Sequence, residues 1–251
     1  MSAYAAHSSN EYLSKAKRAC NRFQLLCHVP FLLICVSLLT SHLGISMIYV
    51  HLTNYSISKG STDIQASLLT SVIGITGSLG RLFVGLMGNV AEISNMVLYF
   101  GTYGIVGIAT VLLQLYVTTY TGQMIYSIVF GTYCGCCYVL LNTITPELLG
   151  IDNLASAFGF EMFFAGAGSL IGVVLAGVVV DSGGTYETAF TMAGVSILVA
   201  AVLVLAADAF RNVSNPRQKI TTREEEALNA DGTNYTSELD VPSVLPTRPC
   251  R

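Results

Sequence analysis

The chain has 251 residues, 53% of them hydrophobic and only 11% charged, with a formal net charge of −3. Soluble domains carry about 25% charged residues, so this balance, with a mean hydropathy of +0.62, excludes an ordinary soluble domain and defines a chain that crosses the lipid bilayer several times. No nucleic-acid partner and no cofactor are expected. The seven cysteines (Cys20, Cys27, Cys35, Cys134, Cys136, Cys137 and Cys250) are odd in number and none falls in an evident extracellular loop, so no disulfide framework is expected.

Residues 1–28 read as a polar lead carrying Lys15, Lys17, Arg18 and Arg22, without the short apolar core of a signal peptide. Six apolar segments follow near 29–51, 64–88, 96–117, 120–145, 152–180 and 186–208. Each is at least as long as the ~20 residues that a helix needs to span a bilayer. Polar or turn-forming stretches divide them: Asn54 to Asp63, Asn89 to Asn95, Thr118 to Thr121, Pro146 to Asn153, and Ser182 to Thr185. The expected organisation is a lead (1–28), a six-helix bundle (29–210) and a disordered tail (211–251) that holds four of the six prolines and the run Glu224-Glu225-Glu226. Of the twelve Lys and Arg, four lie in the lead and six in the tail, while Lys59 stands alone in a loop on the other side. Cytoplasmic flanks are the ones enriched in basic residues, so both termini are expected in the cytosol.

Two charges sit inside the apolar segments. Arg81 lies in the second, with Gly77 four residues before it, Gly85 four after and Gly88 beyond. That spacing places all four on one helical stripe and predicts that Arg81 faces packed protein or a polar cavity, because a charge in lipid costs from ~3 to ~17 kcal/mol. Glu161 lies in the fifth segment on a stripe with Ala157, Ala165, Gly168 and Gly172, and the same reasoning turns it inward. The functional reading makes Arg81 the partner of a substrate carboxylate and Glu161 a protonatable coupling site. The structural alternative has either charge merely tying helices together. His42, in the middle of the first segment, reads as a neutral histidine bonded to a neighbouring helix, with a coupling role as the alternative.

The pairs Gly131/Gly135 and Gly168/Gly172 have the small-xxx-small spacing of closely packed membrane helices. Cys134-Gly-Cys136-Cys137 has the look of a metal cluster, but residues two apart on a helix project about 200° apart, so no metal site is expected there. Zinc-protease, nucleophile-elbow and phosphate-loop patterns were not found, and an enzyme is not expected. The second and fifth segments are both long, glycine-rich and singly charged; the third and sixth are mostly apolar. Segments one to three and four to six thus read as related halves.

Several short pieces recur together: Ala66-Ser-Leu-Leu, Ser71-Val-Ile-Gly-Ile, Gly80-Arg81 and Gly85; Pro146-Glu-Leu-Leu-Gly150; Ala155-Ser-Ala-Phe-Gly159; Leu170-Ile-Gly172, Ala176-Gly177, Asp181 and Gly184-Thr-Tyr186. As a set they resemble the C-terminal half of a monocarboxylate transporter of the major facilitator superfamily, over roughly residues 28–210. The resemblance implies an all-α membrane fold of six transmembrane helices in a 3+3 inverted repeat, one half of the major facilitator fold. It implies movement of lactate-like acids or other small solutes, proton-linked in some members, at the plasma membrane. Arg81 matches the arginine held to bind substrate or take part in coupling. The implied partners are a small organic anion, H+, a six-helix N-terminal bundle or a second copy in its place, and for some members an immunoglobulin-class membrane glycoprotein. Two positions depart from the pattern: Gly77 stands where proton-coupled members carry aspartate, and Gly172-Val173-Val174 stands for Gly-Pro-Pro. The competing reading is a truncated, non-transporting membrane protein that binds a full-length relative.

Overall fold

A computed structural model describes residues 24–87, 94–113 and 119–214. Helices α1 (Val29–Ser58), α2 (Asp63–Met87), α3 (Asn95–Val111), α4 (Tyr120–Leu149), α5 (Leu154–Asp181) and α6 (Tyr186–Ser214) follow in order, with 3-10 turns at Gln24–Cys27 and Ile151–Asn153. No strand occurs among the described residues. Five of the helices are long and apolar enough to cross a membrane, and α3 is a shorter apolar helix of 17 residues. Residues 114–117 of the expected third segment lie outside the described residues, as do 1–23 of the expected lead and 215–251 of the expected tail.

Three boundaries differ from expectation. Helix α1 runs to Ser58 rather than ending near 51, because Leu52, Tyr55 and Ser56 are buried. The Ser56 hydroxyl bonds Gln123 Oε1 of α4 at 2.5 Å, which ties this last turn to the bundle. Helix α2 then starts at a reciprocal cap: the Gln65 amide donates to Thr62 Oγ1 at 3.3 Å, and Thr62 N–H donates to Gln65 Oε1 at 3.0 Å. Pro146 does not end α4 but lies inside it. The helix closes four residues later at Gly150, whose φ of 75° suits glycine and whose N–H returns to the Pro146 carbonyl at 2.9 Å. Helix α6 continues past 210 to Ser214.

The bundle is built on two large helix pairs, α1 with α5 and α2 with α4, and α3 lies along α4. Small residues set the close approaches. A Cβ added at Gly168 would meet the Leu39 backbone, and one at Gly172 the Leu43 backbone and Ser46. One at Gly135 would stand 2.9 Å from Gly77 Cα, and one at Gly131 would overlap Ile73 and Thr76. Gly44 meets Ala193 and Ile197 in the same way, which seats α6 on α1. Tyr99, Tyr103, Tyr126, Phe130 and Phe190 fill the core between these pairs.

Helices α2 and α5 present their other faces outward. On α2 the exposed row is Ile75, Leu79, Leu82, Phe83 and Leu86; on α5 it includes Phe163, Leu170, Val174 and Val178. The buried stripe of α2 is Ala66, Leu69, Ile73, Gly77 and Gly80. That of α5 is Ala157, Glu161, Ala165, Gly168, Gly172 and Ala176.

Candidate functional site

His42 lies near the middle of α1 and is 7% exposed. Its Nδ1 stands 2.9 Å from the Leu38 carbonyl. A carbonyl only accepts, so this nitrogen is assigned the proton. In the neutral ring Nε2 then accepts from the Tyr138 hydroxyl of α4, at 2.9 Å. The two rings meet edge to face, 5.9 Å apart at an interplanar angle of 78°. Behind them, Ser41 Oγ donates to Tyr103 Oη at 3.2 Å, and Tyr103 Oη bonds Tyr99 Oη at 3.1 Å. Leu38, His42, Tyr99, Tyr103 and Tyr138 help enclose a cavity of about 10 Å³, roughly the ~10–15 Å³ that one water needs.

The same Tyr138 ring carries the Arg81 guanidinium, whose Cζ lies 5.4 Å from the ring centroid. A cation over an aromatic face is worth ~0.5 to ~2 kcal/mol. Arg81 is exposed, and among the described residues no carboxylate pairs with it. Among the described residues the Tyr138 ring is the contact shown for the guanidinium, and none of its five N–H donors is shown paired with a carboxylate. This differs from the expected packed stripe. Gly77 is buried against α4, but a Cβ on Gly85 would meet nothing within 4 Å among the described residues. Gly85 therefore packs against no other helix among the described residues. The cause is geometric: a step of four residues overshoots a turn by about 40°, so the stripe drifts by about 80° between Gly77 and Gly85. Contact with α4 follows Gly77 and Gly80 instead, and Arg81 sits at its margin. Gly88 lies outside the described residues.

Glu161 is fully buried. Its Oε1 accepts from Thr145 Oγ1 of α4 at 2.6 Å, and its Oε2 has no hydrogen-bond partner among the described residues. An ionised carboxylate with one hydrogen bond and no counter-ion is costly to bury; a proton or a new partner relieves that cost. Arg81 and Glu161 do not touch, but both lean on α4. Their contacts there, Tyr138 and Thr145, are two helical turns apart, about 10 Å along the axis.

Cys134, Cys136 and Cys137 are buried in the bundle. Cys136 Sγ donates to the Thr132 carbonyl at 3.0 Å, and Cys137 Sγ stands 3.3 Å from Thr102 Oγ1. Among the described residues no group of His, Cys, Asp and Glu is arranged to hold a metal.

Tyr138 and Thr145 escape a reading of the sequence. Each is a common residue in an apolar helix, and only the neighbouring helices give it a part in the site. The one signal was position: Tyr138 follows the Cys134–Cys137 cluster directly.

Six apolar helices with an imidazole, a guanidinium and a carboxyl held within their span define an integral membrane bundle with polar groups at depth. The chain belongs to the major facilitator superfamily, whose family pattern it matches over residues 31–242. It is similar to monocarboxylate transporter 12 of Xenopus laevis, with 26% identity over 84% of this chain and 46% of that protein. Similarity to monocarboxylate transporter 9 of Pongo abelii is 32% over 55% of this chain and 27% of the relative. For monocarboxylate transporter 10 of Danio rerio it is 26% over 63% of this chain and 31% of the relative. The matches thus span about half or less of the length of these relatives.

Proposed function

We propose that this chain is the C-terminal half of a transporter that moves a small organic acid of the monocarboxylate type across the plasma membrane, with both termini in the cytosol. The observation that carries the proposal is Arg81, a guanidinium on a helix long and apolar enough to cross a membrane, whose contact among the described residues is a neutral ring rather than a carboxylate. Open donors at that position suit a bidentate carboxylate. Glu161, buried with one oxygen unpartnered, is the group proposed to take up a proton in symport, and His42 orients the tyrosine beside Arg81. The similarity to monocarboxylate transporters 9, 10 and 12 supports the substrate class.

The six helices are proposed to form a 3+3 inverted repeat. Exchange of α1–α3 with α4–α6 turns the α1–α5 pair into α4–α2, the other large pair. At the α3–α6 contact Gly107 meets Leu198, and Val111 meets Gly194, a reciprocal arrangement of the kind a two-fold relation produces. The outward apolar faces of α2 and α5 would then meet an N-terminal six-helix bundle, or a second copy in its place. Those same faces favour a second reading, in which a non-transporting short protein docks on a full-length relative.

The test is organic-anion uptake by cells that express this chain with an N-terminal six-helix bundle. Arg81→Gln is expected to abolish uptake at near-normal surface abundance. Unchanged uptake would make Arg81 a structural residue.

A further inference from the structure

Tyr138 is the residue through which two of the polar groups in this bundle meet. Its ring face lies under the Arg81 guanidinium at 5.4 Å. Its hydroxyl is anchored on His42 Nε2 at 2.9 Å, and His42 is in turn anchored on the Leu38 carbonyl at 2.9 Å. A tyrosine has two side-chain torsions, and here the hydroxyl end is held by a buried imidazole while the ring stays at the open margin of α4. Arg81 has a long, flexible stem on an exposed helix face, and with no carboxylate partner among the described residues its position is left to the ring.

We propose that Tyr138 is a positioning residue for the anion site at Arg81: the Leu38–His42–Tyr138 chain holds the aromatic face that keeps the guanidinium turned along the bundle surface, with its donor edge free for a carboxylate. The proposal rests on the reading of Arg81 as the substrate-binding group and adds how that group is held. It assigns the ring and the hydroxyl separate duties. The ring carries the cation, and the hydroxyl fixes the ring. Loss of the hydroxyl therefore costs less than loss of the ring.

Two measurements separate the placement from the role. The first uses the purified full chain in lipid nanodiscs and follows phenylglyoxal modification of Arg81 by peptide mass spectrometry, which needs no transport. Tyr138→Leu should speed the modification by about fivefold, in line with loss of a cation–π contact. Tyr138→Phe, which keeps the ring, should stay within about twofold of the native rate. An unchanged rate in Tyr138→Leu would overturn the placement, and so would equal acceleration in both variants. The second measures uptake of labelled lactate when the chain is co-expressed with an N-terminal six-helix bundle. Tyr138→Leu should raise KM by about fivefold with the maximal rate nearly unchanged, and Tyr138→Phe should restore most of the affinity. A faster modification with no change in KM would overturn the positioning role. A native response to Arg81→Gln would instead refute the reading of Arg81 on which the proposal stands.

Discussion

Thr145 on α4 donates a 2.6 Å hydrogen bond to the Glu161 carboxyl on α5, and the second oxygen of that carboxyl is buried without a partner among the described residues. The pair is the polar link between a helix packed on α2 and a helix packed on α1. Thr145→Val removes the donor and keeps the shape, leaving the carboxyl with no hydrogen bond. It should lower stability by about 1–3 kcal/mol, read as thermal unfolding of the purified chain in nanodiscs. Glu161→Gln keeps an acceptor for Thr145 and should cost less. In the assembled transporter the same variant should flatten the dependence of uptake on external pH. A pH response identical to the native one would remove Glu161 from the coupling role.

Gly135 and Gly85 make a matched pair of tests for helix packing. At Gly135 an added methyl would stand 2.9 Å from Gly77 Cα, with backbone on both sides of the contact and nothing flexible to yield. Gly135→Ala should destabilise the chain by about 1–3 kcal/mol, as overpacking does. At Gly85 nothing lies within 4 Å among the described residues, so Gly85→Ala should be neutral, or stabilising by up to about 1 kcal/mol through helix propensity. Thermal unfolding of the two variants under one set of conditions checks both signs.

The contrast between these glycines also shows how far the sequence could be read. Apolar runs place all six helices, because a bilayer demands length and composition that are visible without a fold. Boundaries were less legible. Tyr55 and Ser56 look like loop residues until Phe190, Tyr186 and Gln123 are seen to receive them. Arg81, Glu161 and His42 stand out because charge and imidazole are rare in apolar helices. Their surroundings do not, since the neighbours come from other helices. A stripe at a spacing of four residues is a reliable face over one turn and drifts over two. For that reason, among the described residues, Gly77 is packed, Arg81 is marginal and Gly85 is open.

Orientation can be read from one engineered thiol and two native ones. Asp63 is exposed at the start of α2, beside the short loop that holds Lys59. The Lys59 ammonium donates to Glu187 at 2.7 Å, and this hydrogen bond and the facing charges push its pKa up. On the proposed orientation, with both termini in the cytosol, a membrane-impermeant maleimide applied to intact cells should label Asp63→Cys. It should reach native Cys20 and Cys250 only after permeabilisation. Labelling of Cys250 in intact cells would reverse the topology.

On the proposed reading this bundle supplies one half of a transport pathway, with Arg81 on the face that the other half completes. The outward rows of α2 and α5 are apolar and the guanidinium among them is exposed, so a surface that works by rocking against a second bundle needs that bundle present. The most direct measurement is uptake of a labelled monocarboxylate into liposomes that contain purified residues 1–251 alone, compared with liposomes that also contain an N-terminal six-helix bundle. No saturable uptake is expected from the chain alone, and saturable, Arg81-dependent uptake is expected from the assembled pair. Saturable uptake by the chain alone, removed by Arg81→Gln, would contradict that reading and would make two copies of this bundle a complete transporter.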